Sequence, residues 1–153
     1  MSRHSYTKVW LHIIWGTLRR EKVLISKKIR KEISTYLYQY AQDKSIYMNI
    51  NYVNADHVHA LIDFPTNITL ENLVQLLKGG SSHWINKRNI LPGKFSWARG
   101  YSIFTVSHSN VDKVKNYIMK QHEHHRKRTF LEEYQRFISS HDLVYYKSDT
   151  PLR

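Results

Sequence analysis

An α+β fold, a mostly antiparallel sheet with helices covering it, is predicted by three features of this sequence. Runs rich in β-branched and aromatic residues occur at 6–17, 47–53, 57–64 and 95–106, and such side chains pack well on a pleated surface. Between and after them lie stretches whose apolar residues recur at helical spacing. The resulting order of strand, helix, hairpin, helix, strand, helix suits a sheet with helices packed on it.

The first strand, 6–17, reads Tyr-Thr-Lys-Val-Trp-Leu-His-Ile-Ile-Trp-Gly-Thr and belongs near the sheet centre. Ser26 is placed to cap a helix running to about Gln42. Its Ile29, Ile33, Tyr36, Leu37 and Tyr40 face inward, leaving Lys27, Lys28, Arg30 and Lys31 outside. With Arg19, Arg20 and Lys22 just before it, this helix presents a basic face on which a phosphate backbone can dock, or which is simply solvated.

Residues 47–53 alternate polar and apolar, 54–56 make a turn, and 57–64 return as the third strand, closed by Pro65. Thr69 caps the next helix, with Glu71 and Asn72 in its first turn and an apolar stripe of Leu70, Leu73, Leu76 and Leu77. Gly79 and Gly80 mark a kink or an end, after which 81–88 reads as a further helical piece, basic at Lys87 and Arg88. A loop with Pro92 and Gly93 leads into the fourth strand, 95–106, where Gly100 signals a bulge or a close backbone contact.

Asn110 is placed as the cap of an amphipathic helix continuing to residue 128. Val111, Val114, Ile118 and His122 share one side; Tyr117 and Gln121, four apart, share a neighbouring face. Phe130, Tyr134, Phe137 and Ile138 predict a helical tail over 128–141, packed on the same domain or on a second subunit. Residues 1–153 read as one domain, with no repeat or linker.

A chain of 153 residues is long enough for a real core. Its 24 Lys and Arg against 12 Asp and Glu leave a net charge of +12, which favours a polyanionic partner such as nucleic acid. Eleven Tyr and four Trp add surfaces on which unpaired bases can stack. There is no cysteine, so any metal must be held by His, Asp, Glu or Gln, and a cytoplasmic setting is expected. The apolar stretch 9–15 is broken by His12, is too short to span a membrane and lacks a cleavage site, so no membrane partner is expected.

The chemistry centres on His57 and His59. Two residues apart on a strand, they project from one face while Val58 points into the core. Alone, the pair fits two solvated or hydrogen-bonded histidines as well as a half-built metal site. A metal demands a third ligand. Asp56 would point to the opposite face of the strand, whereas Gln121 offers an amide oxygen and shares its helix face with Tyr117. A tyrosine attacking a phosphodiester needs charge stabilisation, which a divalent cation supplies. The cluster His122, Glu123, His124 and His125 does not make the His-Glu-x-x-His pattern, because residue 126 is Arg; it reads as a cationic helix end. Neither a Gly-rich phosphate loop nor a Ser-His-Asp set can be assembled.

Asp56-His57-Val58-His59-Ala60-Leu61-Ile62 followed by Tyr117-Ile118-Met119-Lys120-Gln121 resembles the single-tyrosine HUH transposases, called TnpA, of small insertion sequences that move as single-stranded DNA. Lys78-Gly79-Gly80-Ser81-Ser82, the segment from Phe95 to Tyr101, and Thr129-Phe130-Leu131-Glu132-Glu133-Tyr134 extend the resemblance over most of the chain. It implies a ferredoxin-like sheet similar to an RNA-recognition module. It further implies Mg²⁺ or Mn²⁺ held by His57, His59 and Gln121, with Tyr117 as a nucleophile that stays joined to a DNA 5′ end. Family members are homodimers that recognise hairpins, and their active sites can combine elements of both subunits. Lys78, Lys87, Arg88 and Arg99 join the earlier basic residues as candidate DNA contacts, and Trp84, Trp97 or Tyr101 as stacking surfaces. Two other readings remain: a domesticated relative that processes chromosomal repeat hairpins, and a nucleic-acid-binding module with an idle metal site.

Overall fold

The structure, a computed structural model, describes residues 5–121 and 129–140. Four strands, β1 (Trp10–Gly16), β2 (Tyr47–Val53), β3 (His57–Asp63) and β4 (Ser102–Val106), form one sheet in the order β2-β3-β1-β4. Every neighbouring pair is antiparallel. With α1 (Lys27–Asp43) after β1 and α2 (Leu70–Lys87) after β3, this is the ferredoxin-like arrangement of two split strand-helix-strand units. Among the described residues two more helices, α3 (Val111–Met119) and α4 (Phe130–Ser140), follow β4.

All seven residues of β1 are buried, as a central strand covered on both faces requires. Leu11, Ile13 and Trp15 join Val58, Ala60 and Ile62 of β3 in the main core beneath α1 and α2. On the opposite face Trp10 and Leu61 pack with Val111 and Ile118 of α3, and Ile14 and Phe104 with Phe130, Tyr134 and Ile138 of α4. The tail helix therefore covers its own protomer's sheet. Each such large apolar side chain contributes about 1.5–3 kcal/mol when fully buried.

The caps at Ser26 and Thr69 form as expected, their hydroxyl oxygens accepting from the N–H of Ile29 at 3.4 Å and of Asn72 at 3.1 Å. Asn110 precedes α3 without a side-chain cap bond. A short turn, His108–Asn110, leads into the helix instead. The predicted break at Gly79 and Gly80 is absent: α2 runs unbroken from Leu70 to Lys87. Gly80 has a packing role, since a Cβ there would come 2.6 Å from the Tyr40 ring of α1.

The first and fourth strands are shorter than predicted. Tyr6 lies before β1 and is 96% exposed. Phe95 and Trp97 are buried, but not on a regular strand, and Trp97 is thereby core and not the stacking surface expected of it. Asn86 of α2 clamps this irregular lead-in, its Nδ2 donating to Phe95 O at 2.9 Å and its Oδ1 accepting from Phe95 N at 2.7 Å. Gly100 lies before β4, and a Cβ there would meet nothing within 4 Å, so among the described residues neither the bulge nor the close backbone contact expected of it is found.

Candidate metal centre and nucleophile

The turn 54–56 positions the site. Thr17 N donates to Asp56 O at 2.8 Å and Leu24 N to Ala55 O at 3.0 Å, stitching the turn to the chain that leaves β1. Asp56, just outside β3, is thereby free of the strand's alternation. Its Oδ1 meets His57 Nδ1 at 2.7 Å. Such a bond places the Nδ1 proton towards the carboxylate and leaves Nε2 as the lone-pair nitrogen, the usual way a carboxylate prepares an imidazole for a metal. Asn54 Nδ2 lies 3.2 Å from that Nε2. Asp56 is thus an orienting partner of His57.

His57 and His59 project from the same face of β3 and are fully buried. Their rings are 5.1 Å apart between centroids. His59 Nδ1 is 2.8 Å from His12 Nε2 on β1, because the register sets Ile14 opposite His59 and His12 opposite Leu61, all on one face. The other nitrogen, His59 Nε2, is buried and among the described residues makes no hydrogen bond; Glu133 Oε1 of α4 lies 3.1 Å from it. Donor atoms of His57, His59 and Glu133 lie within 4.8 Å of one another. Two imidazoles and one carboxylate suit a divalent cation such as Mg²⁺, Mn²⁺ or a later transition metal, and a buried imidazole nitrogen lacking a hydrogen bond is the expected mark of a metal ligand. The residues fit a metal.

Tyr117, half-buried on α3, brings its ring to 6.0 Å from that of His59 and 6.4 Å from that of His12. Gln121, one turn later, is buried, and its Oε1 accepts from Asn54 Nδ2 at 3.4 Å. Gln121 therefore approaches His57 through Asn54, while Glu133 approaches His59 directly. The helix α4 closes the site: Phe130 stacks on His57 with centroids 3.8 Å apart and planes within 3°, and Phe137 lies edge-on to Tyr117 at 5.5 Å. Tyr134 hydrogen-bonds Ser102 of β4, which pins the helix to the sheet.

Glu133 and His12 are the site residues that the sequence reading missed. His12 showed itself only as a polar interruption in an apolar strand, and Glu133 only as part of the segment that carried the resemblance. Nothing in the spacing linked either to His59, since strand register and helix docking set those contacts. The cluster from His122 to His125 lies outside the described residues.

The basic residues divide. Arg20, at a left-handed φ of 56° beside Arg19 at 54°, lies with Nε 3.9 Å from Asp56 Oδ2 and its guanidinium 5.2 Å from the Phe130 ring. Arg30 donates to Leu24 O at 2.8 Å. Lys78 donates to Ala98 O at 2.6 Å and Arg99 O at 3.0 Å, and burial pushes its pKa down. These three engage the chain itself. Arg19, Lys27, Lys28, Lys31, Lys87, Arg88 and Arg99 are exposed. Of the candidate stacking residues, Trp97 is buried in the core, and Trp84 and Tyr101 reach solvent. Among the described residues no helix is long and apolar enough to cross a membrane.

A family model described as "Transposase IS200 like" matches residues 5–121. The transposase for insertion sequence element IS200 of Salmonella typhimurium is 27% identical over 125 residues, covering 78% of this chain and 81% of the relative. The ISDra2 transposase TnpA of Deinococcus radiodurans is 26% identical over 117 residues, covering 73% and 83%. The fold matches the crystal structure of a protein from Deinococcus radiodurans provisionally assigned as a transposase, with a TM-score of 0.62 and 24% identity over 79% of this chain and 96% of that one.

Proposed function

This chain belongs to the IS200-like transposase family, and from that premise we propose that it cuts and rejoins single-stranded DNA at hairpin-bearing ends, with Tyr117 as the nucleophile. The observation that carries this reading is the convergence of a helix-borne phenol and a buried imidazole pair on one face of the sheet, with 6.0 Å between the rings of Tyr117 and His59.

In the proposed reaction the Tyr117 hydroxyl oxygen attacks phosphorus and a tyrosine O–P bond forms. The P–O3′ bond breaks, and the proton lost by the phenol is balanced by one gained on the departing 3′ oxygen. The 5′ phosphate stays on the protein. Attack by a 3′-hydroxyl reverses these steps, so the diester energy is kept and no nucleotide cofactor is needed. His57, His59 and either Glu133 or Gln121 would hold Mg²⁺ or Mn²⁺, which would offset charge developing on the phosphate. Asp56 and His12 orient the two imidazoles. Since both imidazoles are fully buried beneath α4, the phosphate reaches them only when this helix shifts. In the homodimer that the family resemblance implies, a shared active site would place Tyr117 against the partner's histidine pair, whereas the spacing within this protomer supports a site built from one chain.

The test is cleavage of a hairpin-bearing single-stranded oligonucleotide with Mn²⁺. Wild-type protein should cut it, while His57→Ala and an excess of chelator should each abolish cutting. Equal cutting by His57→Ala, or in chelator, contradicts the metal reading.

A further inference from the structure

The outer surface of α1 and α2, across the sheet from the histidine pair, carries an aromatic column that the reaction centre does not use. Tyr40 stacks on Tyr36 at 5.6 Å and 23°, Tyr36 stacks on Trp84 at 4.6 Å and 16°, and the Arg88 guanidinium lies over Trp84 at 5.6 Å. The column is fixed from within. Tyr36 donates its hydroxyl to Gly80 O at 3.1 Å, and only a glycine at 80 leaves room for the Tyr40 ring. Tyr36 and Trp84 line an open groove of about 490 Å³ whose charged rim is Lys28, Lys31 and Arg88 against Glu32 alone.

We propose that this groove is a second DNA-binding surface, which holds an unpaired stretch of strand while the hairpin end is processed on the other side of the sheet. The ring faces of the column are taken up by one another, by Lys44 over Tyr40 and by Arg88 over Trp84, so a base would stack on the Arg88 guanidinium plane and meet the ring edges of Tyr36 and Trp84, while the flanking cations follow the phosphate backbone; such contacts hold single strands without reading sequence. An excess of cations around stacked aromatic rings matches a strand whose charge and π-faces alternate. An apolar protein partner would leave the rim's excess of two positive charges without counter-charges. The inference shares with the proposed function only the premise that the substrate is single-stranded DNA, and its readouts are independent of cleavage.

The experiment measures binding of labelled, hairpin-free dT20 by anisotropy across a salt series. It also maps ultraviolet crosslinks from a bromodeoxyuridine-substituted dT20 by mass spectrometry. For wild-type protein the crosslinks should fall on peptides containing Tyr36 or Trp84. The double variant Lys31→Glu, Arg88→Glu should bind at least tenfold more weakly and show a log-log salt slope shallower by about 1.4, the loss of two single-strand phosphate contacts. An abasic strand of equal length should bind the wild type about tenfold more weakly than dT20, because its bases are missing. Both substituted positions are exposed, and an unchanged melting temperature separates lost binding from lost folding. Unchanged affinity and slope in the double variant, or crosslinks confined to the α3 and α4 face, overturn the proposal. Tyr117→Phe should keep full dT20 binding, so loss of cleavage alone leaves the groove standing.

Discussion

His12 Nε2 and His59 Nδ1 lie 2.8 Å apart across neighbouring strands, so the imidazole that faces Glu133 is held from behind by a third histidine. This contact depends on the β1–β3 register. A slip of one residue would send His12 to the opposite face, under α1 and α2.

Replacing His12 by Phe should keep an aromatic ring in this place but remove this partner. Mn²⁺ affinity, measured by calorimetry, should fall by about 10–100-fold, the usual cost of losing an outer-shell partner. Unchanged affinity would reduce His12 to a packing residue.

Glu133 and Gln121 compete for the place of third ligand. In DNA-free protein Glu133 stands beside His59 and Gln121 stands behind Asn54. Glu133→Gln should therefore weaken Mn²⁺ binding by about tenfold or more, while Gln121→Ala should leave that affinity nearly unchanged and lower the rate of cleavage. The reverse order would make Gln121 the resident ligand.

Gly79 and Gly80 are neighbours in one continuous helix with different surroundings. A Cβ at 79 meets nothing within 4 Å, so Gly79→Ala should stabilise the protein by about 0.5–1 kcal/mol through helix propensity. At 80 the same gain is opposed by displacement of the Tyr40 ring, and overpacking costs about 1–3 kcal/mol. Thermal melting should rise for Gly79→Ala and fall or stay level for Gly80→Ala. A fall for Gly79→Ala would mean that α2 is kinked there after all.

Much of the fold was legible because its signals are local. Alternation placed His57 and His59 together on one face, the caps at Ser26 and Thr69 were correct, and apolar spacing marked α1, α2 and the tail helix. The errors share a physical cause. Burial of Phe95 and Trp97 resembles strand patterning, yet their segment is held by Asn86 instead of a ladder, and the paired glycines resemble a break until Tyr40 is placed against one of them. Tyr117 and the histidine pair were both visible as candidates. Their meeting, and the arrival of Glu133 and His12, arise from contacts between elements distant in sequence.

The most direct test of the account is the identity of the covalent link. A hairpin-bearing single strand, incubated with wild-type protein and Mn²⁺ and then digested for mass spectrometry, should yield a 5′-phosphonucleotide joined to Tyr117. Tyr117→Phe should give no adduct while still binding the hairpin. An adduct on another residue, or cleavage by the variant equal to that of wild type, would contradict it.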